Sequence, residues 1–202
     1  ETAVGQDKDG QPVTATATTK YTPTVTAVEP TAKPADSAGV QGETQKGTPT
    51  FTEGNAEVPI KENSVKLLNA DGTEANGPVD ALDEKGKKVG EYTVDPATGE
   101  VTFKPTDKSY TGKVQPAKVQ AEDKNGTKVS TTYTPSIVGV TPTATPDESA
   151  GVQGETQEGT VSFAPGEITI GGEKKSVPIK ANSAKLLNAD GTEANGPVDA
   201  LD

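Results

Sequence analysis

Cysteine, histidine, methionine and tryptophan are absent from this 202-residue sequence, and reading the rows shows no arginine either. Each absence excludes something. Without Cys there is no disulfide, no thiolate nucleophile and no Cys-bound metal. Without His the commonest general base and imidazole ligand are gone. Without Arg there is no planar fork for phosphate or carboxylate. All 19 cations are therefore Lys, set against 30 acidic residues, for a net charge of −11. Such a chain is a poor partner for nucleic acid, where phosphate neutralisation dominates affinity, and for an anionic membrane. No stretch approaches the apolar length needed to span a bilayer, and the N-terminal residues show no secretion signal, so the sequence alone gives no address.

Large apolar residues are also scarce. Leu, Ile, Val and Phe make up 34 of 202 residues, below the roughly 20% at which high net charge points to disorder. Against this, Val leads the apolar set and Thr occurs 30 times. Both are β-branched and suit a pleated, half-buried surface. Composition leaves the two readings balanced, and pattern has to decide.

The pattern is an internal repeat. GVQGETQ stands at 39–45 and 151–157, and YTP at 21–23 and 133–135, both offset by 112. KLLNADGTEANGPVDALD recurs without change at 66–83 and 185–202, now offset by 119. Seven extra residues therefore lie between Phe163 and Val177, in a segment, EITIGGEKK, that reads as a longer hairpin around Gly171-Gly172. DKDG at 7–10 echoes DKNG at 123–126, so a third copy is represented by its tail. A period near 112 residues is domain-sized, too long for a solenoid unit.

Two Pro-rich acidic stretches, 27–36 and 139–148, precede each GVQG. Spaced prolines fix φ and remove amide donors, which favours extended connectors. The expected organisation is the end of one repeat at 1–26, a linker at 27–36, a complete repeat at 37–138, a linker at 139–148, and the front of another repeat at 149–202.

Within 37–138, turn signals recur at the spacing of short sandwich strands, and no segment sustains a helical period. Only Ser64–Ala70 admits a helical turn as an alternative. Strands are expected at Thr48–Thr52, Glu57–Ile60, Val65–Asn69, Glu91–Val94, 101–103, Val114–Glu122 and Lys128–Thr134. DPATGE at 95–100 marks the clearest hairpin, and Asn125-Gly126 reads as a type I′ pair. The expected core is Phe51, Val58, Ile60, Leu67, Leu68, Tyr92, Val94, Val101, Phe103, Val119, Val129 and Tyr133. The fold class is all-β: tandem Ig-like β-sandwich repeats joined by short Pro-rich linkers.

Chemistry-bearing candidates are few. Asp7–Gly10 and Asp123–Gly126 resemble the front of a calcium loop, but the later ligands are missing and both sit where a turn is required. The many carboxylates lie in turns and linkers with no apolar setting to tune an acid–base pair. GVQG and GETQ lack the Lys-Ser/Thr of a phosphate loop and read as a domain-opening turn. Lys66 with Asn69, and Lys185 with Asn188, could form an internal amide cross-link if the lysine were buried, although the flanking turn suggests exposure. No catalytic, cofactor-binding or metal residue is assigned, and the chain is not expected to be an enzyme.

GVQGETQ (39–45), TVDPATGEVTF (93–103) and YTPSI (133–137), with a Pro/Thr spacer before GVQG, resemble the CshA-type fibril repeats of streptococcal and related cell-wall-anchored surface proteins. The resemblance covers nearly the whole chain. It implies a stacked β-sandwich repeat, no catalytic residue, no cofactor, and a location on the bacterial cell surface with wall-sorting and secretion signals outside these residues. The leading reading is a structural stalk or fibril unit that spaces an adhesive tip from the wall, its partners being neighbouring repeats, with host surface proteins met by other regions of the parent. The alternative is an adhesin module that binds a host protein or glycan. Of seven aromatics, Phe51, Tyr92, Phe103 and Tyr133 belong to the expected core and Phe163 is the counterpart of Phe51, leaving Tyr21 and Tyr110; Tyr21, the counterpart of Tyr133, is expected to be buried in its own domain. Little is left for a binding hot spot. In the incomplete last copy, Leu186 and Leu187 should be exposed.

Overall fold

The computed structural model describes the backbone of residues 2–201, and the side chains of all of these but residue 3. In chain order the strands are β1 (Thr2–Gln6), β2 (Pro12–Thr16), β3 (Thr31–Lys33), β4 (Ala35–Val40), β5 (Gln45–Gly47), β6 (Thr50–Thr52), β7 (Lys66–Leu68), β8 (Val79–Leu82) and β9 (Lys88–Val94). They continue as β10 (Val101–Pro105), β11 (Gly112–Lys113), β12 (Ala117–Glu122), β13 (Lys128–Val138), β14 (Thr143–Thr145), β15 (Ser162–Ala164), β16 (Gly166–Ile170) and β17 (Glu173–Val177). There is no helix among the described residues, and Ser64–Ala70 holds strand β7.

The central repeat is a sandwich of two sheets. One runs β5-β10-β9-β8; the other runs β11-β13-β12-β7, with β4 alongside β13. Alternation decides which side chains enter between them. On β12, Ala117, Val119 and Ala121 point in; on β10, Val101, Phe103 and Pro105 do. The centre is aromatic: Tyr92 meets Phe103 at 5.7 Å and stands edge-on to Tyr133 at 6.1 Å. This tilted geometry suits ring quadrupoles. Leu67, Val89, Val114 and Ile137 close the cluster.

Most expected core positions lie in or against this core, with Phe51, Ile60, Val94 and Val129 half-buried on its edge. Small residues complete it. Ala81, Ala117 and Ala121 are fully or almost fully enclosed. They carry little apolar signal in a sequence, yet their size lets the sheets approach.

Four details differ from the sequence reading. The strand expected at Thr48–Thr52 is present only as β6, Thr50–Thr52, paired with β3; β5, unread just before it, joins the main sheet, and the chain crosses between them at Pro49, which has no amide to donate. Glu57–Ile60 forms only isolated bridges, Asn55 to Val58 and Ile60 to Asp123. Strand β8 went unread because only Val79 and Ala81 of its four residues face inward. The Asn125-Gly126 turn is not type I′, since Gly126 alone has positive φ, at 85°. Its amide bonds Asp123 O at 3.0 Å while Asp123 N bonds Thr127 O at 3.0 Å. That is a type I turn closed by a glycine bulge. Asp7–Gly10 and Asp83–Gly86 repeat it.

Strand β3 and the first two residues of β4 fall inside the stretch 27–36 read as a connector. β3 pairs antiparallel with β6, and β4 runs parallel to β13 from Ala35 beside Tyr133 to Val40 beside Val138. Around this sandwich, β1–β2, β14–β15 and β16–β17 are separate two-stranded pairs. Tyr21 is 89% exposed. The expectation that it is buried like its counterpart Tyr133 does not hold, because β1 and β2 ahead of it pair only with each other and bring no second sheet over the ring. Leu186 and Leu187 are exposed, as expected.

Candidate functional site at the GVQGETQ turn

The GVQGETQ segment carries more chemistry than a domain-opening turn requires. Gly39 sits where an added Cβ would lie 2.6 Å from the Glu43 carboxylate and 2.9 Å from Gln45. Gly42 has a φ of 79°, which closes the turn, and Glu43 N bonds Val40 O at 3.1 Å. Glu43 then folds back, and its Oε2 accepts the Val40 amide at 2.9 Å.

Gln45, at the end of the motif, is 5% exposed. Its side-chain amide donates to Ser136 O at 2.9 Å, and its Oε1 accepts from Ser37 Oγ at 2.7 Å. Ser37 Oγ also lies 2.6 Å from the Tyr133 hydroxyl. With the serine proton committed to Gln45, the phenol is the donor to Ser37. A buried relay thus ties β4 and β5 to β13. Burial pushes the Tyr133 phenol up from its ordinary value, partly offset by the Ser37 bond, so it stays protonated and able to donate.

Gln41 reaches the far end of the unit. Its Oε1 accepts the Val140 amide at 2.7 Å, and its Nε2 donates to Val140 O at 3.3 Å. A side-chain amide here replaces one rung of a β-ladder, fixing residue 140 beside the turn. The Glu43 carboxylate also accepts an ion pair from Lys175 in the following copy. Partial burial acts to raise the Glu43 pKa, but the Lys175 bond, the Val40 amide and the Lys175 charge together hold it below the ordinary value.

The second copy rebuilds the same turn. Ser149 Oγ donates to Gln157 Oε1 at 2.7 Å, and Glu155 Oε2 accepts the Val152 amide at 3.0 Å. The turn is thus a local structure that forms without the surrounding sheets.

The other candidates serve local roles. Asp123 Oδ1 accepts the amides of Asn125 and Thr127 at 2.9 and 2.8 Å, and Asp7 does the same for Asp9 and Gln11. These carboxylates are committed to their own turns. Lys66 binds Glu74 at 2.5 Å, while Asn69 Nδ2 donates to Thr73 at 3.0 Å, both at exposed positions. Lys185 and Asn188 repeat that arrangement with Glu193 and Thr192. Among the described residues no three acidic side chains converge as a metal cluster. Gln41, Ser37 and Gln45 were missed as linking residues; their signal was the recurrence of two glutamines inside a seven-residue motif.

A protein family described as the surface adhesin CshA repetitive domain matches residues 27–137 and again 139–199. The chain belongs to that family. No curated protein matches it. The two CshA-repeat matches place β3 and β4 inside the first unit and make Val140 the second residue of the next. The Gln41–Val140 pairing therefore lies on the boundary between consecutive CshA repeats, and the GVQGETQ turn belongs to the junction as much as to the domain. Tandem all-β repeats of a surface adhesin account for every major element described above.

Proposed function

We propose that this chain is a stalk or fibril segment of a bacterial cell-surface adhesin, anchored to the wall and carrying an adhesive tip outward. The observation that carries the reading is the parallel pairing of β4 with β13. The first long strand and the last run in the same direction, so the chain comes in at one end of the sandwich and leaves at the other. Strand β13 has 11 residues, which at about 3.3 Å per residue spans about 35 Å. Units of this kind, taken as about residues 27–138, stack head to tail into a line. An antiparallel first–last pairing would return the chain to its starting end and build a folded-back array.

Other features support the same reading. Tyr92, Phe103 and Tyr133 are sequestered in the core, and Tyr110 donates its hydroxyl to Lys113 O at 2.6 Å, so the central repeat presents no cluster of aromatic anchors. The negative charge keeps neighbouring units and filaments apart. Its partners in this reading are neighbouring repeats, while host proteins are met elsewhere on the parent. Neither nucleic acid nor membrane is a partner, and no reaction is catalysed.

The deciding experiment replaces the repeats of the parent protein with unrelated β-sandwich domains of equal total length. Retained adhesion and fibril reach support the stalk. Loss of adhesion at unchanged reach assigns ligand binding to the repeats and overturns it.

A further inference from the structure

The seven additional residues of the second copy do not hang free. They extend a tight turn, Asn55 to Val58 in the first copy, into the hairpin β16–β17. The hairpin has two unlike faces. Glu167, Thr169, Lys174 and Ser176 are exposed on one side, whereas Ile168, Ile170, Lys175 and Val177 are half-buried on the other, with Gly166 buried. Cross-strand pairs Gly166–Val177 and Ile168–Lys175 put those residues on a single face.

That face meets the end of the preceding repeat. Lys175 binds the Glu43 carboxylate of the GVQGETQ turn. At the hairpin's base an added Cβ on Gly166 would stand 2.1 Å from Thr141 O and 2.6 Å from Val140 Cγ1. Val140 is the residue clasped by Gln41. Turn, connector and hairpin therefore close on one another around a single junction. The first copy has only part of this. Gly54, the counterpart of Gly166, lies equally close to Glu29 O, at 2.3 Å, but the short turn that follows holds no Lys and no apolar pair to reach backward.

We propose that the β16–β17 hairpin is an inter-repeat clamp: a docking element that locks the repeat carrying it onto the GVQGE turn of the repeat before it, through Lys175 and Glu43. Repeats with the insertion make stiff junctions; repeats with the short turn make hinges. The partner is a GVQGE turn of this same protein, and Glu155 of the second copy, already folded back onto Val152, presents the same acceptor to a following repeat. The docking holds whether the repeats act as a stalk or bind a ligand.

The full chain contains no Cys, so nitroxide labels on K104C and T169C, two exposed positions, report the distance between repeat and hairpin without background. A single narrow distance distribution is expected in the parent and in Lys175→Arg. Lys175→Ala and Gly166→Val should lose the narrow peak. Both lie outside the first repeat, which should keep its cooperative melt, lowered only by the docking it loses. Cross-strand amide cross-peaks between positions 168 and 175, retained in the Lys175→Ala chain, show undocking without unfolding. A broad distribution in the parent, or a narrow one that survives both substitutions, overturns the clamp. Either result leaves the domain-replacement test of the stalk untouched.

Discussion

Gly47 on β5 lies directly against the ring of Tyr133 on β13: a Cβ added to Gly47 would stand 2.4 Å from Cε2 and 2.6 Å from Cδ2. Neither side can yield easily. The Tyr133 ring is fully buried, edge-on to Tyr92, and its hydroxyl is held by Ser37. Gly47→Ala should therefore destabilise the repeat by about 1–3 kcal/mol, the usual cost of overpacking. At about 4–8 °C per kcal/mol for a domain of this size, a thermal melt followed by circular dichroism resolves it. Gly77→Ala is the control. No atom lies within 4 Å of its added Cβ, and its effect should stay within about 0.5 kcal/mol. Equal melting temperatures for the two variants would contradict this packing.

The relay Tyr133–Ser37–Gln45 makes a second prediction, because its members are bonded in series. Ser37→Ala removes the partner of two buried groups at once, and should cost about 1–3 kcal/mol. Tyr133→Phe removes one bond and keeps the ring. In the double variant the phenol no longer needs an acceptor, so the two losses should fall short of their sum by about 0.5–1.5 kcal/mol. Strict additivity in urea melts would mean that the hydroxyls do not act together.

What could be read from the sequence was whatever the chain states locally and repeatedly. The DPATGE hairpin is one case: Asp95, Gly99 and Glu100 supply the turn bonds themselves. The aromatic core positions are another, since Tyr92, Phe103 and Tyr133 alternate with polar neighbours. The all-β class followed from these. Long-range terms were not legible. The β4–β13 pairing joins residues about a hundred positions apart, and its strand begins among prolines that suggest an extended connector. Ala121 shows in its alternation with Val119, but Ala81, in a strand that went unread, is a core residue by virtue of being small. The junction was hidden for the same reason: Gln41 and Val140 mean nothing to each other until the first and last strands lie side by side.

The Lys66–Asn69 pair yields a prediction about covalent structure. Amide formation needs the lysine nitrogen against the asparagine carbonyl carbon in a setting that excludes water. Here Lys66 is half-exposed and bound to Glu74, and Asn69 donates to Thr73. Intact-mass spectrometry should give the mass of the unmodified sequence. A deficit of one ammonia per copy, removed by Lys66→Ala or Lys185→Ala, would show that the bond forms after all.

Glu74 should give the repeat a distinct acid response. It bridges Lys128 at 2.7 Å and Lys66 at 2.5 Å, tying β13 to β7 over the strand between them, β12. The bond from Lys128, then that from Lys66, holds its carboxyl down at about 2 rather than the ordinary 4.5. Because the folded value is the lower one, the contribution is present above the unfolded value and is lost as pH falls from 4.5 towards 2. Lys128 is shifted upward by the same partner, so on the alkaline side the contribution fades only as that lysine deprotonates. The pair is solvent-accessible, so added salt should weaken it. A carboxyl-detected NMR titration at low ionic strength should place the Glu74 midpoint far below the ordinary 4.5, at about 2. The melting difference between parent and Glu74→Gln should be largest near neutral pH and vanish at the acid end. A Glu74 midpoint near 4.5 would show that the two lysines do not hold it in solution.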